Sequence, residues 1–338
     1  MRSAGEVLIQ LARQYAFRDL AAVAAAGALP DGTRELAEVS LLCSFGQRLL
    51  DLDAEDFGVK ESSGDEVADA TAVPRALRSR ARAARMPQTA KEEPRGALET
   101  LRPAYVLLLE AMEIRWRRRE TTALVATAHI MSEYLPLLAW EPVLGHAGDP
   151  LRLHGAVAGH GSLFGSADGG SNDRACPHNG PQRAAASRSL EIGRSDGPRW
   201  RKYLDRRHSH IAGALGVCAA ECHDPCTVIT RLGAERNALR ERCRLAAAFT
   251  DSPLVRLRHA APVGHGFGVP STDEVADAWE RSRERLGERA LGDAVLKDDG
   301  YVLPGLPSLI SAVADAPIAP GTLIAEVSDT LVTTLTEN

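Results

Sequence analysis

"LRPAYVLLLEAMEIRWRRRETTALVATAHIMSEYLPLLAW", Leu101 to Trp140, holds the clearest periodicity in a chain of 338 residues. Tyr105, Leu108, Leu109, Met112 and Trp116 fall on one face of a helical repeat, and Leu124, Ala128, Met131, Leu135 and Leu138 fall on a second. Pro103 suits a first helical turn, where its missing N–H has no partner to lose. Between the stripes "RWRRRETT" presents four arginines, expected as a solvated corner, with Thr121 or Thr122 capping the next helix. Two packed helices or one long broken helix follow from this pattern, and it sets the expected fold class as mainly α.

Outward from this stretch the same period recurs. Val7, Leu8, Leu11 and Tyr15 form a stripe, "LPDGT" breaks the chain, and Leu36, Val39, Cys43 and Leu50 form another, which places Cys43 in a core. Beyond residue 198 two helices are expected, at 200–223 and 224–249. A third is opened by "STDEVADAWERSRERL", where Ser271 and Glu274 have capping-box spacing and Val275, Trp279 and Leu286 mark the buried face. Leu323, Val327, Leu331 and Leu335 close the chain with a last helix. Residues 159–198 lose all periodicity in a run rich in Gly, Ser, Asn and Pro. The expected architecture is an irregular multi-helix bundle in two halves around a long Gly/Ser-rich insertion. Its segments are a helical start at 1–57, a linker region at 58–97, a central hairpin at 98–158, the insertion at 159–198, a helical unit with a Cys/His corner at 199–290, and a Pro-rich tail at 291–338 that ends in a helix.

Length and composition fit this frame. A chain of this size needs more than one hydrophobic core. Aromatic residues are only 4% of it, so the cores must be built from Leu, Val and Ala, residues that suit helices. The net charge of −5 excludes a chain that is basic throughout, yet the charge is unevenly spread: eight carboxylates and one lysine lie between Asp51 and Asp69, and five arginines with no acid lie between Arg75 and Arg85. Four lysines stand against 36 arginines, a bias that a GC-rich bacterial genome produces as readily as selection for phosphate contacts. The first residues lack the apolar run of a signal peptide, and no stretch is apolar for long enough to span a bilayer, so a cytoplasmic protein with no membrane contact is expected. In that compartment six cysteines point to buried thiols or metal ligands.

The densest chemistry is "CAAECHDPC", Cys218 to Cys226. One reading is a helix corner: Asp224 and Pro225 suit an N-cap and first turn, Cys218 and Cys222 share a helical face, and the cysteines pack as small apolar residues. The other is a structural zinc centre in which the corner brings together Cys222, His223 and Cys226, and the loop "ACPHNG" supplies Cys176 and His178. The spacings C-x3-C and C-x-H differ from the paired C-x2-C knuckles of familiar zinc sites.

"RWRKYLDRRHSH", Arg199 to His210, sets cations and rings on one helix. Arg199, Arg201, Lys202, Arg206 and Arg207 would clamp phosphates and Trp200 would stack on a base, or the stretch is an amphipathic helix start with Trp200, Tyr203, Leu204 and Ile211 in the core. His160 and His265, each following a glycine, are candidate proton donors or ligands in loops, and His129 and Glu133 are spaced for a surface ion pair. Two spacings carry resemblances. Arg201 and His208 have the R-x6-H spacing of HEPN-type ribonucleases. The order "RRHSH", "LAAAFTDSP", "RHAAPVGHGFG" resembles HD-type metal-dependent phosphohydrolases, with His208 and Asp251 in the first and third ligand places and Thr250 where that family has a histidine. That resemblance implies a phosphohydrolase using His208, His210, His223, Asp224 and Asp251. In the absence of a complete catalytic set, the expectation is a non-catalytic, bacterial-type helical subunit that binds nucleic acid or another protein subunit, with zinc fixing its fold.

Overall fold

The computed structural model describes residues 4–29, 36–53, 73–157, 199–221, 229, 232–260 and 268–336. Among them the chain forms thirteen α-helices and no strand, as the helical period requires. In chain order they are α1 (Ala4–Arg13), α2 (Phe17–Val23), α3 (Leu36–Leu50), α4 (Arg75–Ala84), α5 (Arg102–Arg117), α6 (Thr121–Leu144), α7 (Pro150–Val157), α8 (Arg199–Ala220), α9 (Glu235–Thr250), α10 (Pro253–Ala260), α11 (Thr272–Gly287), α12 (Leu306–Ala314) and α13 (Leu323–Thr336). None is long and apolar enough to cross a membrane among the described residues. The insertion at 159–198 and the acidic stretch at 58–72 lie outside the described residues.

The chain divides into two compact units, and the division is not the linear one the sequence suggests. Unit 1 comprises Met1–Met86, Pro103–Arg118 and Pro320–Asn338; unit 2 comprises Pro87–Arg102 and Arg119–Ala319. The two helices of the central hairpin segment therefore belong to different units.

In unit 1, α13 packs on α1, α3 and α4, and α2 packs on α3. Leu8, Phe17, Leu42, Phe45, Leu49, Leu107, Ile114, Ile324 and Leu331 fill its core, and Cys43 is part of it. The first turn of α13 is fastened by a carboxylate from α5. Glu110, buried, accepts hydrogen bonds from the backbone N–H groups of Leu323, Ile324 and Ala325 at 2.8, 2.8 and 2.9 Å. A helix leaves its first N–H groups without internal partners, and an anion placed there satisfies them. Burial raises the Glu110 pKa above the ordinary carboxylate value, and the three N–H groups offset part of that rise.

Of the arginines of "RWRRR", Arg117 and Arg119 are exposed as a solvated corner requires, but Arg115 and Arg118 are not. Arg115 is buried and donates to the carbonyl of Leu50 at the end of α3, and Arg118 donates to the carbonyls of Gln14 and Tyr15 just after α1. Their long stems reach helix C-termini, where carbonyls lack internal donors. Glu120, not a threonine, is the N-cap residue of α6.

Unit 2 is arranged around α6, which is buried along most of its length and packs on α8, α9, α10 and α12. Pro136 lies inside it and cannot donate to the Ser132 carbonyl one turn back. The Thr250 hydroxyl, at the end of α9, lies 3.3 Å from that carbonyl and 3.1 Å from the Ala246 carbonyl of its own helix, so its one proton is shared between the two. On another face Gly216 of α8 lets the helix approach Pro136 so closely that an added Cβ would sit 3.1 Å from the proline ring, and the Trp140 indole donates to the Leu215 carbonyl at 2.9 Å. The capping box at Ser271 and Glu274 forms as the spacing requires. Val275, Trp279 and Leu286 are buried on α11.

Candidate functional site

Two polar constructions stand out in unit 2, one enclosed and one open. The enclosed one begins with Asp149, which precedes Pro150 at the start of α7. Its Oδ1 accepts from the Leu151 N–H at 3.1 Å and from Arg95 Nη2 at 3.0 Å, while Oδ2 accepts from Arg95 Nε at 2.9 Å. Both partners are buried. Arg95 also donates to the Ala90 carbonyl at 2.6 Å, and its guanidinium lies 5.3 Å from the Trp200 ring centroid. The segment read as a linker is thus drawn into the core by an arginine, because a buried guanidinium needs every donor satisfied. Losing one partner of such a pair costs about 3–5 kcal/mol.

Two imidazoles border this pair. His146 Nδ1 accepts from the Asp149 N–H at 2.9 Å, which leaves its proton on Nε2. His208 Nε2 donates to the Ala147 carbonyl at 3.0 Å, and its ring lies 5.5 Å from that of Tyr134. The remaining nitrogens, His146 Nε2 and His208 Nδ1, are buried without a hydrogen-bond partner among the described residues. Desolvation is the first cause that pushes both pKa values down, each to about 4. Gly148 makes the enclosure possible: its φ is +69°, and an added Cβ would meet Leu137 at 2.7 Å and His208 Nε2 at 3.5 Å. The cluster is neutral at its histidines, closed and structural.

The open construction is a cleft of about 620 Å³ lined by Arg240 and Arg244 of α9, Arg256 of α10, Arg285 of α11 and Arg289 just beyond it, together with Glu221, Asp251, Ser252 and small or apolar residues. Asp251 pairs with Arg256 at 3.3 Å, and Glu241, outside the lining, pairs with Arg244 at 2.9 Å. Among the described residues Arg240, Arg285 and Arg289 make no ion pair, and Arg240 Nε is buried without a hydrogen-bond partner. Among the described residues the cleft therefore gathers five guanidinium groups against two carboxylates.

The residues singled out from the sequence fall in different places. Cys176, His178, Cys222, His223, Asp224 and Cys226 lie outside the described residues, as do His160 and His265. No group of three or more metal-ligating side chains occurs among the described residues. Cys43, Cys218 and Cys243 are buried thiols, and burial pushes Cys43 and Cys243 up to about 12. Trp200 is fully buried and donates to the Pro87 carbonyl at 3.1 Å, so it offers no ring to a base; Leu204 and Ile211 are buried with it. Arg199, Arg201, Lys202, Arg206 and Arg207 stand in the first turns of α8, and their side chains lie outside the described residues.

His208 and Asp251 do not share a site. His208 is enclosed in the polar cluster, whereas Asp251 lines the cleft beside Ala220, roughly 18 Å along α8 from position 208 by helical rise. His210 is exposed on the same helix. His129 pairs with Glu133 at 3.2 Å and touches Arg258.

The cleft arginines escaped the sequence reading because four of them belong to amphipathic helices and Arg289 lies just past one, where a charge ordinarily means solvent. One signal was present: Arg240 and Arg244 are like charges spaced i, i+4 on one helix, an arrangement that weakens an isolated helix by about 0.2–0.5 kcal/mol. No family model matches the chain, and neither does any curated protein or solved structure.

Proposed function

We propose that this protein is a non-catalytic helical subunit that binds nucleic acid, with the arginine-lined cleft of unit 2 meeting the phosphate backbone. The observation that supports this is the cleft's composition: five arginines converge on one concavity, and three of them have no ion pair among the described residues. Holding uncompensated guanidinium groups together works against folding, and a polyanion removes that repulsion on binding. Arginine suits the task because its planar fork donates two hydrogen bonds to a phosphate at once. The basic stretch at Arg199–Arg207 opens the helix whose last residue, Ala220, lines the cleft.

The test is fluorescence anisotropy of labelled single-stranded DNA, single-stranded RNA and duplex DNA titrated with the full chain across a salt series. Binding should weaken as salt rises, with a log–log slope of about −0.7 for each phosphate neutralised on a single strand. Replacing Arg285 and Arg289 by alanine should make the slope shallower by about 1.4 units on the same rule. If no oligonucleotide binds at low salt, or if the double variant binds with unchanged affinity and slope, the nucleic-acid reading fails and a protein partner is the one left to pursue.

A further inference from the structure

We infer that the cleft takes the terminal phosphate of a strand, a phosphomonoester with its neighbouring phosphodiester, and holds it without reading the base. This rests on the nucleic-acid reading above and narrows it to one part of the polymer.

Size is the first argument. A cleft of about 620 Å³ falls within the range of small-ligand sites and is too small for the grooved surface of a duplex. Charge is the second. Among the described lining residues, five arginines against Glu221 and Asp251 leave three positive charges in excess, or two when Glu241 is counted from outside. An internal phosphodiester brings one negative charge, whereas a terminal monoester brings about 1.5 to 2, and the first diester raises this to about 2.5 to 3. The excess matches a strand end better than one internal linkage.

The third argument is the donors. No lysine lines the cleft among the described residues, so every cation there is a fork. A monoester exposes three terminal oxygens where a diester exposes two, which suits three guanidinium groups that make no ion pair among the described residues: Arg240, Arg285 and Arg289. The fourth argument is what the lining omits. No aromatic ring and no Asn or Gln is among the described lining residues, so neither stacking nor amide pairing to a base edge is on offer.

The experiment compares three unlabelled oligonucleotides of one sequence as competitors for the full chain: one with a 5′-phosphate, one with a 3′-phosphate and one with hydroxyls at both ends. One phosphorylated form should compete at least about tenfold better than the hydroxyl form, and which form does so identifies the end bound. The advantage should be equal for oligo-dT and oligo-dA, and it should vanish in Arg285→Ala/Arg289→Ala. Both side chains are exposed, so the variant should melt like the parent; Arg285→Lys/Arg289→Lys, which keeps the charge and loses the fork, should recover part of the advantage. Equal competition by all three oligonucleotides, or an advantage that depends on the base, overturns this inference and leaves nucleic-acid binding standing. No competition by any of them overturns both.

Discussion

His208 and His146 tie the stability of unit 2 to pH through their enclosure beside Asp149 and Arg95. Each pKa lies near 4 in the folded chain against about 6.5 when unfolded, so the unfolded chain takes up the proton first. The stability they contribute is present above pH 6.5 and is lost as pH falls toward 4, by roughly 3 kcal/mol for each imidazole. Denaturant unfolding followed by tryptophan fluorescence at pH 7, 6, 5 and 4 should show this decline. His208→Gln can still donate to the Ala147 carbonyl but does not titrate, and it should lose about half of the slope. An unchanged slope in that variant would show that the decline has another origin. The same residues show why the site was hard to read. A histidine looks alike in sequence whether it is a ligand, a base or a neutral core residue, and only the enclosure of His208 separates these roles.

At the scale of the element, helices were legible and their ends were partly so. Ser271 and Glu274 declare their capping box because both halves lie within one turn. The N-terminus of α13 has no such local signal, since its capping carboxylate comes from Glu110, more than two hundred residues earlier. Glu110→Gln removes the charge and sets an amide against three N–H groups. Unfolding free energy should fall by about 1–3 kcal/mol, and hydrogen exchange should show the α13 amides less protected. Equal protection in the variant would mean that the apolar face of α13 holds it unaided. The arginines of "RWRRR" carry the same lesson. Arg115 and Arg118 satisfy the ends of other helices, and a sequence cannot say which carbonyls a long side chain will reach.

The whole molecule is divided against the order of its sequence. Unit 1 closes only when the last helix returns to the first, with the Ser328 hydroxyl donating to the Ala12 carbonyl at 2.8 Å and Leu323, Ile324, Val327 and Leu331 entering the core of Leu8, Leu42 and Leu49. A chain ending at Ala319 should therefore lose protection of α1 and α3 amides, while the buried Trp140, Trp200 and Trp279 of unit 2 keep their native fluorescence. If α1 and α3 remain protected without the last nineteen residues, from Pro320 to Asn338, unit 1 does not depend on the C-terminal helix. Contacts this distant in sequence leave no periodic trace, which is why the Pro-rich tail reads as a separate segment and the residues at 87–97 read as part of a linker.

From the sequence alone came the helical class, the stripes of α3, α5 and α6, the core position of Cys43 and the cap of α11. Each depends on residues within a few turns of one another, and helical period and capping are local physics. Tertiary structure alone decided that Trp200 and His208 are enclosed, that Arg95 is a core residue, and that arginines between 240 and 289 share a cleft. Those outcomes depend on which helix faces pack together. Packing sums weak contacts over distant parts of the chain, so no short stretch carries the answer.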